Sequence, residues 1–292
     1  MPSKRQKDKN LTPLGEASSF NPASARAAME RMMRELAGGG PSKATAEERS
    51  QDLFYEAMEA NTPQRMLALI KQALELDPDN VDARLFMMQF TTDNVDERIE
   101  ALRDIVDSAA RKLGPGAFEE YKPHFWGFIE TRPYMRAREH LAGELLAAGR
   151  REEAVKEYEE MMELNPNDNQ GVRYVLLPCY LALDRRTEAR NLFKQYTDDV
   201  KYNTVFAWGL VLLRYLTPRK AGLESALTAA RKQNAYMEAY IKGHRSIPKN
   251  SPGSYSPGSR EEAICYAKDL KMAWDRHPEA VEWLVAQKAP KP

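Results

Sequence analysis

Two segments far apart in the chain close a helical pattern in nearly the same way: Leu76-Asp77-Pro78-Asp79-Asn80 and Leu164-Asn165-Pro166-Asn167-Asp168. Proline cannot continue a helix, and Asn and Asp favour turns through their own side-chain hydrogen bonds. The same stop signal used twice therefore marks units of one design, each needing its neighbour to bury its apolar face. The clearest unit runs over residues 133–169. Pro133 suits a first helical position, Ala137, Leu141, Ala142 and Leu145 form one stripe, and Gly149 ends the helix. A second helix follows with its stripe at Ala154, Tyr158 and Met161, so two antiparallel helices joined by a tight turn are predicted. From Ala46 onward the pattern stays helical, with no sustained two-residue alternation and no Asn-Gly turn between apolar runs. This predicts an all-α fold.

The unit resembles the tetratricopeptide repeat, a pattern of about 34 residues with a small residue where its helices touch, then Ala, an aromatic and a closing Pro. Ala142, Ala154, Tyr158, Met161 and Pro166 occupy those places. An earlier copy has Leu53, Phe54 and Ala57 on its first helix and Ile70 and Ala73 on its second. A later one, residues 170–199, has Leu176, Leu177 and Tyr180 before Ala189, Phe193 and Tyr196. Degenerate copies are expected over 81–113 and 202–233. The two closing prolines are not separated by a whole number of repeats, so residues 114–132 must interrupt the array. That segment holds Phe118, Tyr121, His124, Phe125, Trp126 and Phe128, read either as a plug between repeats or as a ligand box. Pro178 inside a first-helix pattern predicts a kink.

The expected architecture is a right-handed helical-hairpin solenoid over residues 46–235. Ahead of it lies a flexible arm, residues 1–45, with a short helix whose stripe is Ala25, Met29, Met32, Met33 and Leu36; this helix either docks on the body or waits for a groove. Behind it, residues 236–292 begin with a Pro/Gly/Ser-rich loop at 247–258, which is a second place where a partner contact is conceivable. Ser259-Arg260-Glu261-Glu262 reads as a capping box for a helix with Ala263, Ala267, Leu270 and Trp274 on one face. That helix and a final one carrying Val281, Trp283 and Leu284 are expected to cap the open end of the array.

Two longer strings, Glu130-Thr131-Arg132-Pro133-Tyr134-Met135-Arg136-Ala137 and residues 164–174 ending Gln170-Gly171-Val172-Arg173-Tyr174, resemble the suppression-of-tumorigenicity-seven family and its bacterial relatives over roughly residues 118–215. The resemblance implies helical repeats and no assigned reaction. Eukaryotic members are membrane-associated, but the longest apolar stretch here, residues 205–213, is far below the roughly 20 residues of a membrane span, so no span is expected.

The 43 Lys and Arg balance 43 Asp and Glu, which argues against a general binder of nucleic acid or anionic membrane. A basic cluster at Lys4, Arg5, Lys7 and Lys9 leaves a nucleic-acid-associated accessory role as the alternative. Cys179 and Cys265 stand in apolar helical patterns without metal or disulfide spacing, read as small buried residues in a reducing, cytoplasmic compartment. The four histidines are scattered, and only His140 with Glu144 has helical ligand spacing, too few for a metal. No nucleophile elbow, phosphate loop or zinc-protease motif is present. No catalytic, metal or cofactor residues are therefore assigned. The reading is a non-catalytic adaptor that binds a protein or peptide on the concave face of the array. Its candidate contacts are Arg132, Arg136, Asn169, Gln170, Arg173 and Tyr174, where Arg forks and a helix start would meet carboxylates or peptide backbone. The same arginines also suit a polar staple between repeats. A clamp for acidic chain ends is not supported, because Glu139, Gly143, Tyr174 and Pro178 stand at the corresponding places.

Overall fold

The computed structural model describes residues 45–91 and 93–288, together with 29, 32, 33, 35 and 36. The basic cluster at 4–9 lies outside them, as does most of the expected arm. Met29, Met32 and Leu36 are helical and exposed. Among the described residues from Ala46 onward there are fifteen α-helices and one 3₁₀ turn, and no strand. The chain divides into two compact units, residues 1–84 and 85–292.

The first unit holds α1 (Ala46–Met58), α2 (Pro63–Leu76) and the first turn of α3 (Val81–Met88). Thr45 and Glu48 form a complete capping box at the start of α1, and Thr62 with Pro63 starts α2. The two helices pack as a hairpin around Ala57, Ile70 and Ala73, all fully buried. Ser50 Oγ donates to the Ala73 carbonyl at 2.7 Å and accepts from Asn80 Nδ2 at 2.9 Å, which ties the closing turn to the first helix.

In the second unit, α4 (Val95–Leu113) packs on α6 (Arg132–Ala147), and α6 forms a hairpin with α7 (Arg151–Leu164). Between them, α5 (Pro115–Glu120) and the turn Phe125–Gly127 carry the aromatic segment. Phe118 lies 5.3 Å from Phe125 and 5.2 Å from Tyr134, centroid to centroid, and Phe125 is fully buried. The rings thus fill the interruption of the array as packing. The hairpin α8 (Arg173–Ala182) and α9 (Arg186–Gln195) follows, then the single turn α10 (Asp199–Tyr202), the hairpin α11 (Thr204–Tyr215) and α12 (Leu223–Gln233), and the short α13 (Met237–Ile241). The turns after α6 and α8 are built alike: the Arg150 N–H returns to Leu145 O and the Arg185 N–H to Tyr180 O, both at 2.8 Å. Helix α8 continues through Pro178.

The echoed closing motifs do the same work. Two residues beyond each proline stands a side chain whose oxygens cap the next helix: Asn80 Oδ1 accepts from the Ala83 N–H at 2.9 Å, and Asp168 accepts from the Val172 and Arg173 N–H groups at 2.7 and 2.9 Å. One residue therefore ends one hairpin and starts the next.

The C-terminal helices form the expected helical cap and reach beyond the last hairpin of the array. Helix α14 (Arg260–Asp275) packs against both α8 and α11, and α15 (Pro278–Ala286) packs on α14. Because α8 and α11 touch each other and each touches its own second helix, α14 takes the side facing away from those second helices. Its inward residues Ala263, Ala267, Leu270, Ala273 and Trp274 are fully buried. Small residues allow the close approach. Below them, Gly209 of α11 lies so near α8 that a Cβ there would stand 3.0 Å from Leu177 Cδ2.

The expected capping box at α14 is half realised. Ser259 Oγ accepts from the Glu262 N–H at 3.1 Å, but the Glu262 carboxylate turns away toward Thr204 N, Asn234 Nδ2 and Gly258 N at 3.2, 2.9 and 2.7 Å. Four separate donors, counting the Gln233 amide at 3.4 Å, outbid the single reciprocal bond. Gly258 is left-handed, with φ +79°, and a Cβ there would meet the Gln233 carbonyl at 2.9 Å, so only glycine fits this junction.

Candidate functional site

The structure brings Asn169, Gln170, Arg173 and Tyr174 together at the start of α8. The guanidinium of Arg173 is fixed from several sides. Its Nη1 donates to Asp168 Oδ2 at 2.8 Å, its Nε to Asp199 Oδ2 at 2.5 Å, and its Nη2 to Tyr174 Oη at 2.6 Å. It lies over the Tyr174 and Tyr196 rings at 4.2 and 4.8 Å, and Tyr196 Oη closes the set by donating to Pro166 O at 2.6 Å. Burial disfavours the Arg173 cation, but the hydrogen bonds it donates to Asp199 and Asp168 outweigh it and raise its pKa. This is a polar staple joining the closing turn of one hairpin to the first helix of the next and to α10.

Arg132 and Arg136 are only 6% and 7% exposed, whereas the sequence pattern places them on a ligand-facing surface. The physical reason is the aromatic segment: Arg132 Nε donates to the Trp126 carbonyl at 3.0 Å, and its guanidinium lies 5.6 Å from the Trp126 ring. Arg132 thus supports the fold around the interruption, and Arg136 is buried one turn further along α6. Asn169 is exposed and accepts from Asn165 Nδ2 at 3.2 Å. Gln170 reaches across to α6, donating from Nε2 to Glu139 Oε2 at 2.6 Å, while its buried Oε1 has no hydrogen-bond partner. Tyr174 meets Phe206 and Tyr266 edge-on at 5.9 and 6.1 Å, and Tyr266 Oη is 2.7 Å from Tyr255 Oη. The Pro/Gly/Ser loop thus folds back onto α14.

Sequence reasoning missed Asp199 and Tyr266, and read Tyr196 only as a stripe residue, Tyr255 only as part of the 247–258 loop and Glu262 only as half of a capping box, because their partners lie at distances that no local motif encodes. Glu262 is the extreme case, since its carboxylate reaches an N–H 58 residues away.

The remaining chemistry is that of a packed interior. Among the described residues, no three His, Cys, Asp or Glu side chains converge as metal ligands, and no helix is long and apolar enough to cross a membrane. Both cysteines are free thiols. Burial pushes the Cys179 thiol up to about 12, with Asp269 adding to the shift and Arg151 opposing it; burial also raises Cys265. At pH 8 the native chain is therefore expected to take up iodoacetamide slowly, first at half-exposed Cys265, with Cys179 alkylated only on unfolding. Mass spectrometry of a labelling time course checks this, and early modification of Cys179 would contradict the buried, protonated thiol.

Comparison with known proteins gives two findings. No curated protein matches the chain significantly. A tetratricopeptide repeat family model matches residues 145–201, which run from the end of α6 through α10. The match covers the stretch in which the closing turn, the Asp168 cap and the Arg173 staple link successive hairpins, and over it the chain is a tetratricopeptide-like array.

Proposed function

We propose that this chain is a non-catalytic adaptor that binds a protein or peptide partner. The observation carrying this reading is the tetratricopeptide match over residues 145–201, because modules of that kind mediate protein–protein interaction. The resemblance to the suppression-of-tumorigenicity-seven family over residues 118–215 belongs to the same reading, as does a reducing, cytoplasmic setting, which suits two free thiols. Of the six candidate contacts, Asn169, Gln170 and Tyr174 form the reachable rim, joined to α6 through Glu139. Arg173 supports that rim through Asp168 and Tyr174, while Arg132 and Arg136 are buried.

The test is affinity capture from native lysate, with and without nuclease, using the wild-type chain and the double variant Asn169→Ala/Gln170→Ala. Both positions lie outside the buried core, so the fold is expected to survive, which circular dichroism verifies. A stoichiometric protein companion that resists nuclease and falls at least tenfold with the double variant is the expected result. Equal recovery by both chains would remove the rim from the reading, and companions lost with nuclease would favour a nucleic-acid role.

A further inference from the structure

The side of α8 and α11 turned away from their second helices is the side that a helical-hairpin array offers to a ligand, and here α14 of the same chain lies on it. Three features characterise this seat. The first is its recognition chemistry. Helix α11 opens with Thr204, whose N–H donates to the Glu262 carboxylate, and the Asn234 amide donates to the same group; the pair reads a negative charge at the head of an incoming helix. The second is its shape, with Ala263, Ala267 and Ala273 allowing close approach and Leu270 and Trp274 filling the depth.

The third is incomplete polar pairing. Trp274 Nε1 on α14, Thr204 Oγ1 at the head of α11 and Gln233 Oε1 at the end of α12 are buried without hydrogen-bond partners. Buried polar groups in a settled core are normally paired. Burial also raises the pKa of Asp269, on the edge of α14 toward Cys179 and Tyr158. The helix is joined to α13, which also packs on it, by residues 242–259, a stretch without helix.

We propose that α14 is a resident ligand of the face shared by α8 and α11, and that this face accepts an external helix of the same pattern from a protein partner. That pattern is a carboxylate residue at the helix start, followed inward by small residues, a leucine and a tryptophan, as in Glu262, Ala263, Ala267, Leu270 and Trp274. The inference rests on the adaptor reading for its purpose but is tested without any partner. Loss of partner capture by rim variants would leave it untouched.

The experiment uses the full-length chain and a fluorescent synthetic peptide of its own residues 258–288. Hydrogen exchange by mass spectrometry is expected to show the α14 amides opening at least ten times faster than those of α8 and α11. The peptide is expected to bind the full chain saturably. Affinity should rise several-fold when the resident helix is weakened by Glu262→Gln and disappear when the peptide itself carries Glu262→Ala. Exchange of α14 in step with α8 and α11, measured on the wild type and so independent of whether the variant folds, would overturn the proposal. So would failure of the peptide to bind both chains. A concentration-dependent dimer formed by exchange of α14 between copies would assign the face to self-association and overturn the partner reading.

Discussion

Replacing Trp208 by alanine is expected to remove about 3–5 kcal/mol of stability, the range for deleting a buried aromatic from a packed core. Trp208 is fully buried in α11, between the hairpin partner α12 and the layer formed with α8. Its Nε1 also donates to the Asn234 carbonyl at 3.0 Å, so truncation opens a cavity and leaves that carbonyl unpaired. For a unit of this size such a loss lowers Tm by roughly 10 °C or more. Trp208→Phe keeps most of the volume and loses only the donor, so about 1 kcal/mol is expected. Urea midpoints at constant m check both variants. Equal, small losses for the two would mean that this tryptophan is not at the centre of the core.

Glu262→Ala is expected to cost about as much, roughly 3–5 kcal/mol, because removing the carboxylate leaves several buried neutral donors unpaired at about 1–3 kcal/mol each. The carboxylate is 1% exposed, and its loss strands Thr204 N, Asn234 Nδ2 and Gly258 N. The two predictions meet at Asn234, whose carbonyl serves Trp208 and whose amide serves Glu262. The double variant Trp208→Ala/Glu262→Ala should therefore lose less than the sum of the singles, by more than about 0.5 kcal/mol. Strict additivity in a double-mutant cycle would show that Asn234 does not transmit between them.

These two residues also mark where reading the sequence stopped. Hairpin positions, the closing turns, the helix starts at Pro133 and Pro278 and the stripe of α14 were all legible, because each depends on residues within one or two turns of one another. The destination of α14 was not. Its stripe announces a buried face without saying against what, so that the cap reaches α8 as well as the last hairpin's α11 could not be read from it. Glu262 illustrates the same limit: three residues after a serine it reads as half of a capping box, and only the arrival of Thr204 and Asn234 redirects it. At the rim the chemistry of Arg173 was legible both as an anion-binding fork and as a polar staple with Asp168, but not that Asp199, 26 residues on, would join Asp168 in filling it. Arg132 and Arg136 looked accessible because helical spacing places them on one face, while the ring-rich segment that covers Arg132 has no periodicity to read.

The seating of α14 also bears on how the protein is made. The face of α8 and α11 leaves the ribosome well before the helix that covers it; contacts such as His277 Nε2 with the Leu181 carbonyl span 96 residues. Until synthesis reaches Arg260, the nascent array presents an uncovered apolar surface, and the unit cannot finish folding in the order in which it is translated. A chain stalled or truncated inside the loop before Arg260 would carry that surface permanently, making it a substrate for chaperones and a seed for aggregation.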